Sequence, residues 1–195
     1  MSDGTPTAVF AYGSLVSRAS AVATLGPLDD FRPATLEGWR RGFTQARHNP
    51  SCEKVFAVAG SGELPEWILS LGVDPDPGSA VNGVLIGLDD ARAARLDGRE
   101  LRYERRDVTD AIAVAGEAPA GRVYTYVARP ANRAPEPPAG AVILASYARA
   151  TEEAFGELGE GELERFLATT TIPDVPVVEG TLVGDAVPPG NPREW

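Results

Sequence analysis

Cysteine and histidine each occur once in the 195 residues, as Cys52 and His48, and Lys54 is the single lysine beside seventeen arginines. One cysteine excludes an intrachain disulfide and leaves the redox compartment open. One histidine excludes a histidine cluster for zinc, so no metal site is expected. A serine triad would have to pair Ser14 with His48, and the Gly-x-Ser-x-Gly elbow is missing. His48 and Cys52 are four residues apart, but Pro50 between them spoils a helical face. A surface loop is expected there rather than a Cys–His dyad. The Gly-x-x-x-x-Gly-Lys and Gly-x-Gly-x-x-Gly loops are also missing, and with them the common nucleotide fingerprints. No apolar run approaches the roughly 20 residues that span a bilayer. Met1–Pro6 has no basic segment and no apolar core of a signal peptide. Positive charge is scarce as well: the formal net charge is −10. Nucleic acid and anionic membranes need a basic footprint, so neither is expected as a partner. What remains is a small-molecule protein, expected in the cytoplasm.

The composition that is present, 43% hydrophobic and 24% charged, is that of an ordinary globule. The length fits one domain over 1–195 with a real core, and no linker divides it. Residues 8–12 read as a buried strand. Ser17 caps a short helix over 18–25 that Gly26 closes. Extended segments are expected at 34–44, 54–59, 66–72 and 81–88, the last two separated by a turn at Asp74-Pro75-Asp76-Pro77-Gly78. Asp89 and Asp90 open a helix that runs to Leu96 and breaks at Asp97-Gly98. Strands follow at 103–113 and 122–129, then a proline-rich loop at 130–140. Ile143, Leu144, Tyr147, Thr151 and Phe155 share a face at helical spacing, which predicts a helix over 141–155. A second helix follows at 161–169. The tail 173–195 is rich in proline and glycine, with one strand-like piece at 176–183. The acidic residues between Glu152 and Glu164 read as a solvated face. The run of strand candidates ahead of the main helices makes the fold class α+β, a small mixed barrel or curled sheet with flanking helices.

Two stretches carry chemistry. Val9-Phe10-Ala11-Tyr12-Gly13-Ser14-Leu15 is a buried strand ending in a small-residue turn. Gly13 lets a ligand approach the backbone, and successive free amides at such a turn form an anion-binding concavity. Read alone, it is a strand end leading into a helix. The second stretch is Leu96-Asp97-Gly98-Arg99-Glu100-Leu101-Arg102-Tyr103. Read alone, Glu100 is a solvated glutamate beside arginines. Its flanking Leu96, Leu101 and Tyr103 make partial burial plausible, which would raise its pKa, while Arg99 and Arg102 would lower it.

Together the two stretches resemble the γ-glutamylcyclotransferase-like family. Its members carry a Tyr-Gly-Ser-(Asn)-Leu loop after the first strand and a single catalytic glutamate later. The second stretch is similar to the Leu-Asp-x-Arg-Glu-x-x-Tyr pattern of the ChaC-type branch. The resemblance implies Glu100 as the catalytic residue. It implies the backbone of Gly13, Ser14 and Leu15 as donors to the γ-glutamyl group, with Tyr12 and Tyr103 beside them. A tyrosine on the helix after the sheet falls on Tyr147, in an Ala145-Ser146-Tyr147 context that departs from the family's Pro-Ser-x-x-Tyr. The implied reaction needs no cofactor: a γ-glutamyl amide closes to 5-oxoproline and releases an amine, as in glutathione metabolism. A ligand-binding or adaptor module that keeps the fold without the chemistry is the alternative. Leaving-group specificity is expected from the loops at 44–53, 60–66 and 130–140.

Overall fold

The computed structural model describes residues 7–187; Met1–Pro6 and the end of the tail, 188–195, lie outside them. The chain opens with β1 (Thr7–Ala11), a 3-10 turn (Ser14–Val16) and α1 (Arg18–Leu25). Two very long strands follow, β2 (Phe31–His48) and β4 (Trp67–Leu88), with the short β3 (Lys54–Val58) between them. Then come α2 (Asp90–Arg99), β5 (Tyr103–Asp107), β6 (Ile112–Val114), β7 (Val123–Ala128) and β8 (Ala141–Leu144). α3 (Ala145–Leu158), α4 (Glu162–Ala168), β9 (Thr170–Thr171), β10 (Val177–Val178) and β11 (Gly180–Asp185) complete it.

Nine strands form one mixed sheet in the order β10-β8-β4-β1-β7-β5, with β2 along β4, and with β6 and β9 paired to β2. β4 is long enough to take parallel β8 at its start and antiparallel β1 at its end. The other edge of β4 is held by β2, from Phe31–Ile86 to His48–Trp67. The sheet therefore curls, and four helices flank it, as the α+β reading expects. β1 is central, between β4 and parallel β7. That position explains its unbroken apolar run Ala8–Ala11, buried on both faces. Gly83 of β4 is required at this crossing, since a Cβ there would lie 2.2 Å from the Ala11 carbonyl oxygen. A small second sheet pairs β11 with β3.

Five local expectations are corrected. The Asp74–Gly78 tract does not reverse the chain. It is a bulge inside β4, where Glu37 pairs with Ala80 and Trp39 with Pro75, so residues 76–79 face Gly38 alone. Pro77 is tolerated there because a bulge asks for no ladder donor. α2 continues through Asp97-Gly98 to Arg99, because Asp97 is gripped by Arg105 at 2.7 Å and by the Tyr126 hydroxyl at 2.7 Å. The 103–113 segment is cut after Asp107, whose carboxylate takes the Thr109 amide at 3.0 Å and starts a turn; β6 then pairs with β2. The predicted helix 141–155 begins as strand β8, since its Ala-Val-Ile-Leu run pairs with β4 and β10 before α3 starts at Ala145. The strand-like 176–183 piece is two strands in different sheets.

Candidate active site

The chain leaves β1 through Tyr12 and Gly13 into the 3-10 turn, and Ser17 caps α1 by accepting the Ser20 amide at 3.3 Å. Among the described residues the amides of Ser14 and Leu15 meet no protein acceptor. The Tyr12 carbonyl points inward to Arg41, whose Nη1 lies 3.3 Å away. A trans peptide directs C=O and N–H oppositely, so this contact turns the Gly13 amide away from Arg41.

Arg41 is 1% exposed. Its guanidinium lies over the rings of Phe155 and Phe166, at 4.9 and 4.4 Å. It donates to the Asn82 carbonyl at 2.7 Å, the Asn82 side-chain oxygen at 2.9 Å, Thr169 at 3.1 Å and Thr170 at 2.8 Å. Asn82 in turn donates to the Glu162 carboxylate at 2.6 Å. Burial pulls the Arg41 pKa down to about 9, still high enough to keep it charged at neutral pH. Glu162, expected on a solvated face, is thus half-buried and part of the Arg41 network.

Glu100 is the C-cap of α2. Its amide donates to Leu96 and its carbonyl accepts the Tyr103 amide, both at 2.9 Å. Its side chain is 18% exposed, with Oε1 at 3.3 Å from Arg99 Nε. The Arg99 guanidinium is buried among hydroxyls: Ser14 Oγ at 3.2 Å, Ser20 Oγ at 3.3 Å, and Thr24. Arg99 therefore joins the Glu100 carboxylate to the 13–15 turn. The other flanking arginine does not take part. Arg102 faces away, paired with Glu53 at 2.6 and 2.9 Å and touching Cys52 Sγ at 3.3 Å.

Two of the expected tyrosines, Tyr103 and Tyr147, meet the backbone of one residue of β4. Tyr103 donates its hydroxyl to the Leu71 carbonyl at 2.8 Å, and the Leu71 amide reaches the Tyr147 hydroxyl at 3.4 Å. A Cβ on Gly13 would sit 3.4 Å from that same Tyr147 hydroxyl. The Tyr12 hydroxyl donates to the Tyr126 carbonyl at 2.6 Å, so Tyr12 can meet the turn only through its ring and backbone. Burial pushes all three phenols up, Tyr147 to about 12, and the negative Glu100 adds to each shift. Glu100 and Tyr103 line a cleft of about 410 Å³ with Asp97, Glu104, Arg105, Tyr126 and Arg129. Tyr12, Gly13, Ser14, Leu15 and Tyr147 do not line it; they meet its wall through Arg99 and Leu71.

His48 and Cys52 lie apart from this arrangement. The His48 ring contacts Ser51 Oγ at 2.8 Å and packs edge-on to Trp67. Among the described residues no group of three or more His, Cys, Asp or Glu side chains is placed to hold a metal, and no helix is long and apolar enough to cross a membrane. The sequence reading missed Arg41, Asn82 and Arg129. A signal existed for the first: in the adjacent pair Arg40-Arg41 on an extended segment, successive side chains take opposite faces, so one of the two must point inward.

The chain thus combines a curled mixed sheet whose first strand ends in an open-amide turn with a shielded glutamate tied to that turn. The family model for γ-glutamyl cyclotransferase, AIG2-like proteins matches residues 9–142, and the chain belongs to that family. A solved structure described as a γ-glutamyl cyclotransferase is similar with a TM-score of 0.62 at 18% identity, over 87% of this chain and 90% of its own. An uncharacterised human protein matches with the same TM-score, identity and coverage. YkqA from Bacillus subtilis matches with a TM-score of 0.56 at 19% identity over 84% of this chain and 53% of its own, so the chain spans about half of YkqA. At these identities the likeness is one of fold. No curated protein matches the sequence.

Proposed function

We propose that the protein cyclises γ-glutamyl amides to 5-oxoproline with release of an amine. The observation that carries the reading is the Arg99 bridge, which ties the shielded Glu100 carboxylate to Ser14 in a turn with open amides. In this reading Glu100 takes a proton from the substrate α-ammonium. The freed amine attacks its own γ-carbonyl, and the oxygen that gains charge is met by the Ser14 and Leu15 amides. The C–N bond to the leaving group breaks as Glu100 returns the proton to the departing nitrogen, and the ring nitrogen gives up its second proton to water to leave the neutral lactam. One carboxyl group serves both steps, and the nucleophile comes from the substrate. The turn, the Tyr103 ring and the Tyr147 hydroxyl hold the chain curled for attack. The Leu-Asp-Gly-Arg-Glu motif favours the ChaC-type branch, and the predicted setting is cytoplasmic.

The test is Glu100→Gln, nearly isosteric but without a transferable proton. 5-Oxoproline release from a panel of γ-glutamyl amides should fall by about 10²–10⁴-fold, with the unfolding temperature within a few degrees of wild type. A variant that keeps more than a tenth of the rate overturns the role of Glu100. A wild-type protein that binds γ-glutamyl ligands without turnover makes the adaptor alternative the correct one.

A further inference from the structure

The Glu100 cleft holds two arginines in different states. The Arg105 guanidinium is neutralised: Asp97 takes it at 2.7 and 2.8 Å, and the Ala93 carbonyl takes another of its hydrogens at 2.9 Å. Arg129 is anchored but not spent. Its backbone amide donates to the Arg102 carbonyl and its Nε to the Leu101 carbonyl, at 2.9 and 3.1 Å. Its two η nitrogens meet no protein acceptor among the described residues, and it lines the same cleft as Glu100 and Tyr103. The carbonyl it grips belongs to the residue after Glu100, so the exposed guanidinium opens into the same cleft as the proposed catalytic carboxylate. A guanidinium with two η nitrogens free is a fork for a carboxylate.

We propose that Arg129 is a specificity-determining residue that receives a carboxylate on the leaving group. The preferred substrates are then γ-glutamyl amides of amino acids rather than of uncharged amines. This rests on the cyclotransferase reading, with the γ-glutamyl head at the 13–15 turn and the leaving group in the cleft. Arg129 touches no reacting atom, so its effect belongs in binding of the anionic substrate.

The experiment compares γ-glutamyl-alanine with γ-glutamyl-ethylamide, which lacks the carboxylate, in wild type, Arg129→Gln and Arg129→Lys. The wild type should favour the alanine substrate in kcat/KM by tenfold or more. Arg129→Gln should shrink that preference by about 10- to 100-fold, the range of a charge-assisted hydrogen bond, chiefly through KM. Arg129→Lys should restore part of it. With this pair of amides, two results overturn the proposal and leave the reaction standing: a wild type indifferent to the carboxylate, or an Arg129→Gln variant in which both substrates fall together. The second would mean that Arg129 only braces the turn after Glu100. No turnover of the whole panel of γ-glutamyl amides by wild type removes the cyclotransferase reading and this proposal with it, whereas turnover confined to panel members other than γ-glutamyl amino acids overturns only this proposal.

Discussion

Replacing Arg41 with methionine should both destabilise the protein and slow it. The side chain donates to Tyr12, Asn82, Thr169 and Thr170. Methionine fills similar space but leaves the Asn82 carbonyl, the Asn82 amide oxygen and the Tyr12 carbonyl without that donor. Each orphaned buried acceptor costs about 1–3 kcal/mol. Two ring contacts are lost as well, on Phe155 and Phe166, each worth roughly 1–2 kcal/mol where water is excluded. Against this stands relief from holding a charge out of water, several kcal/mol. The net is a loss of about 3 kcal/mol, which lowers the melting temperature of a chain this size by roughly 6–12 °C. Denaturant unfolding should show a lower midpoint at an unchanged slope. The second readout is kcat, measured well below the melting temperature. With the Tyr12 carbonyl released, the Gly13 peptide is free to rotate, and kcat should fall by tenfold or more. Arg41→Lys should recover little, because an ammonium cannot reproduce the fork. A variant as stable as wild type refutes the energetics. A destabilised but folded variant with full kcat refutes the link to the turn.

The tyrosines give a pH test. Tyr12, Tyr103, Tyr126 and Tyr147 all have pKa values raised by burial, so the native state holds their protons longer than the unfolded chain. Stability from these phenols is complete below about pH 10 and is lost as the pH rises through the native values, about 12 for Tyr147. Absorbance at 295 nm should show four of the five tyrosines resisting ionisation at pH 10 while circular dichroism stays native; ordinary midpoints in a folded protein would contradict the burial. Cys52→Ser and His48→Ala should each leave 5-oxoproline formation within about threefold of wild type, since both side chains lie away from Glu100. A large loss in either, without unfolding, would point to a covalent route instead.

The parts of this structure legible in the sequence are those whose cause is local. The β1 run, the Ser17 cap and the Asp89 start of α2 depend on neighbours within a few residues, and they were found. So was the turn after β1, a local object, while the end of α2 was set three residues short of Arg99. The errors came where register decides. Asp-Pro-Asp-Pro-Gly has the composition of a turn, and only the continuous pairing of β2 with β4 on either side turns it into a bulge. Ala141–Leu144 satisfies helical spacing until parallel partners claim it for the sheet.

The same distinction runs through the site. Glu100 and Ser14 are 86 residues apart in number and could be matched only by resemblance, yet the contact between them is made by Arg99, the immediate neighbour of Glu100. Arg41 and Leu71 act on the site through backbone groups, the Tyr12 carbonyl and the Leu71 amide and carbonyl. A role exercised through a backbone group leaves no side-chain type to recognise at the receiving position. Leu71 would look like any core leucine, although its backbone carbonyl and amide contact two tyrosines at once. Motif reading therefore finds the groups proposed to do chemistry and misses those that aim them, and the Arg41 and Arg129 variants fall on the missed side.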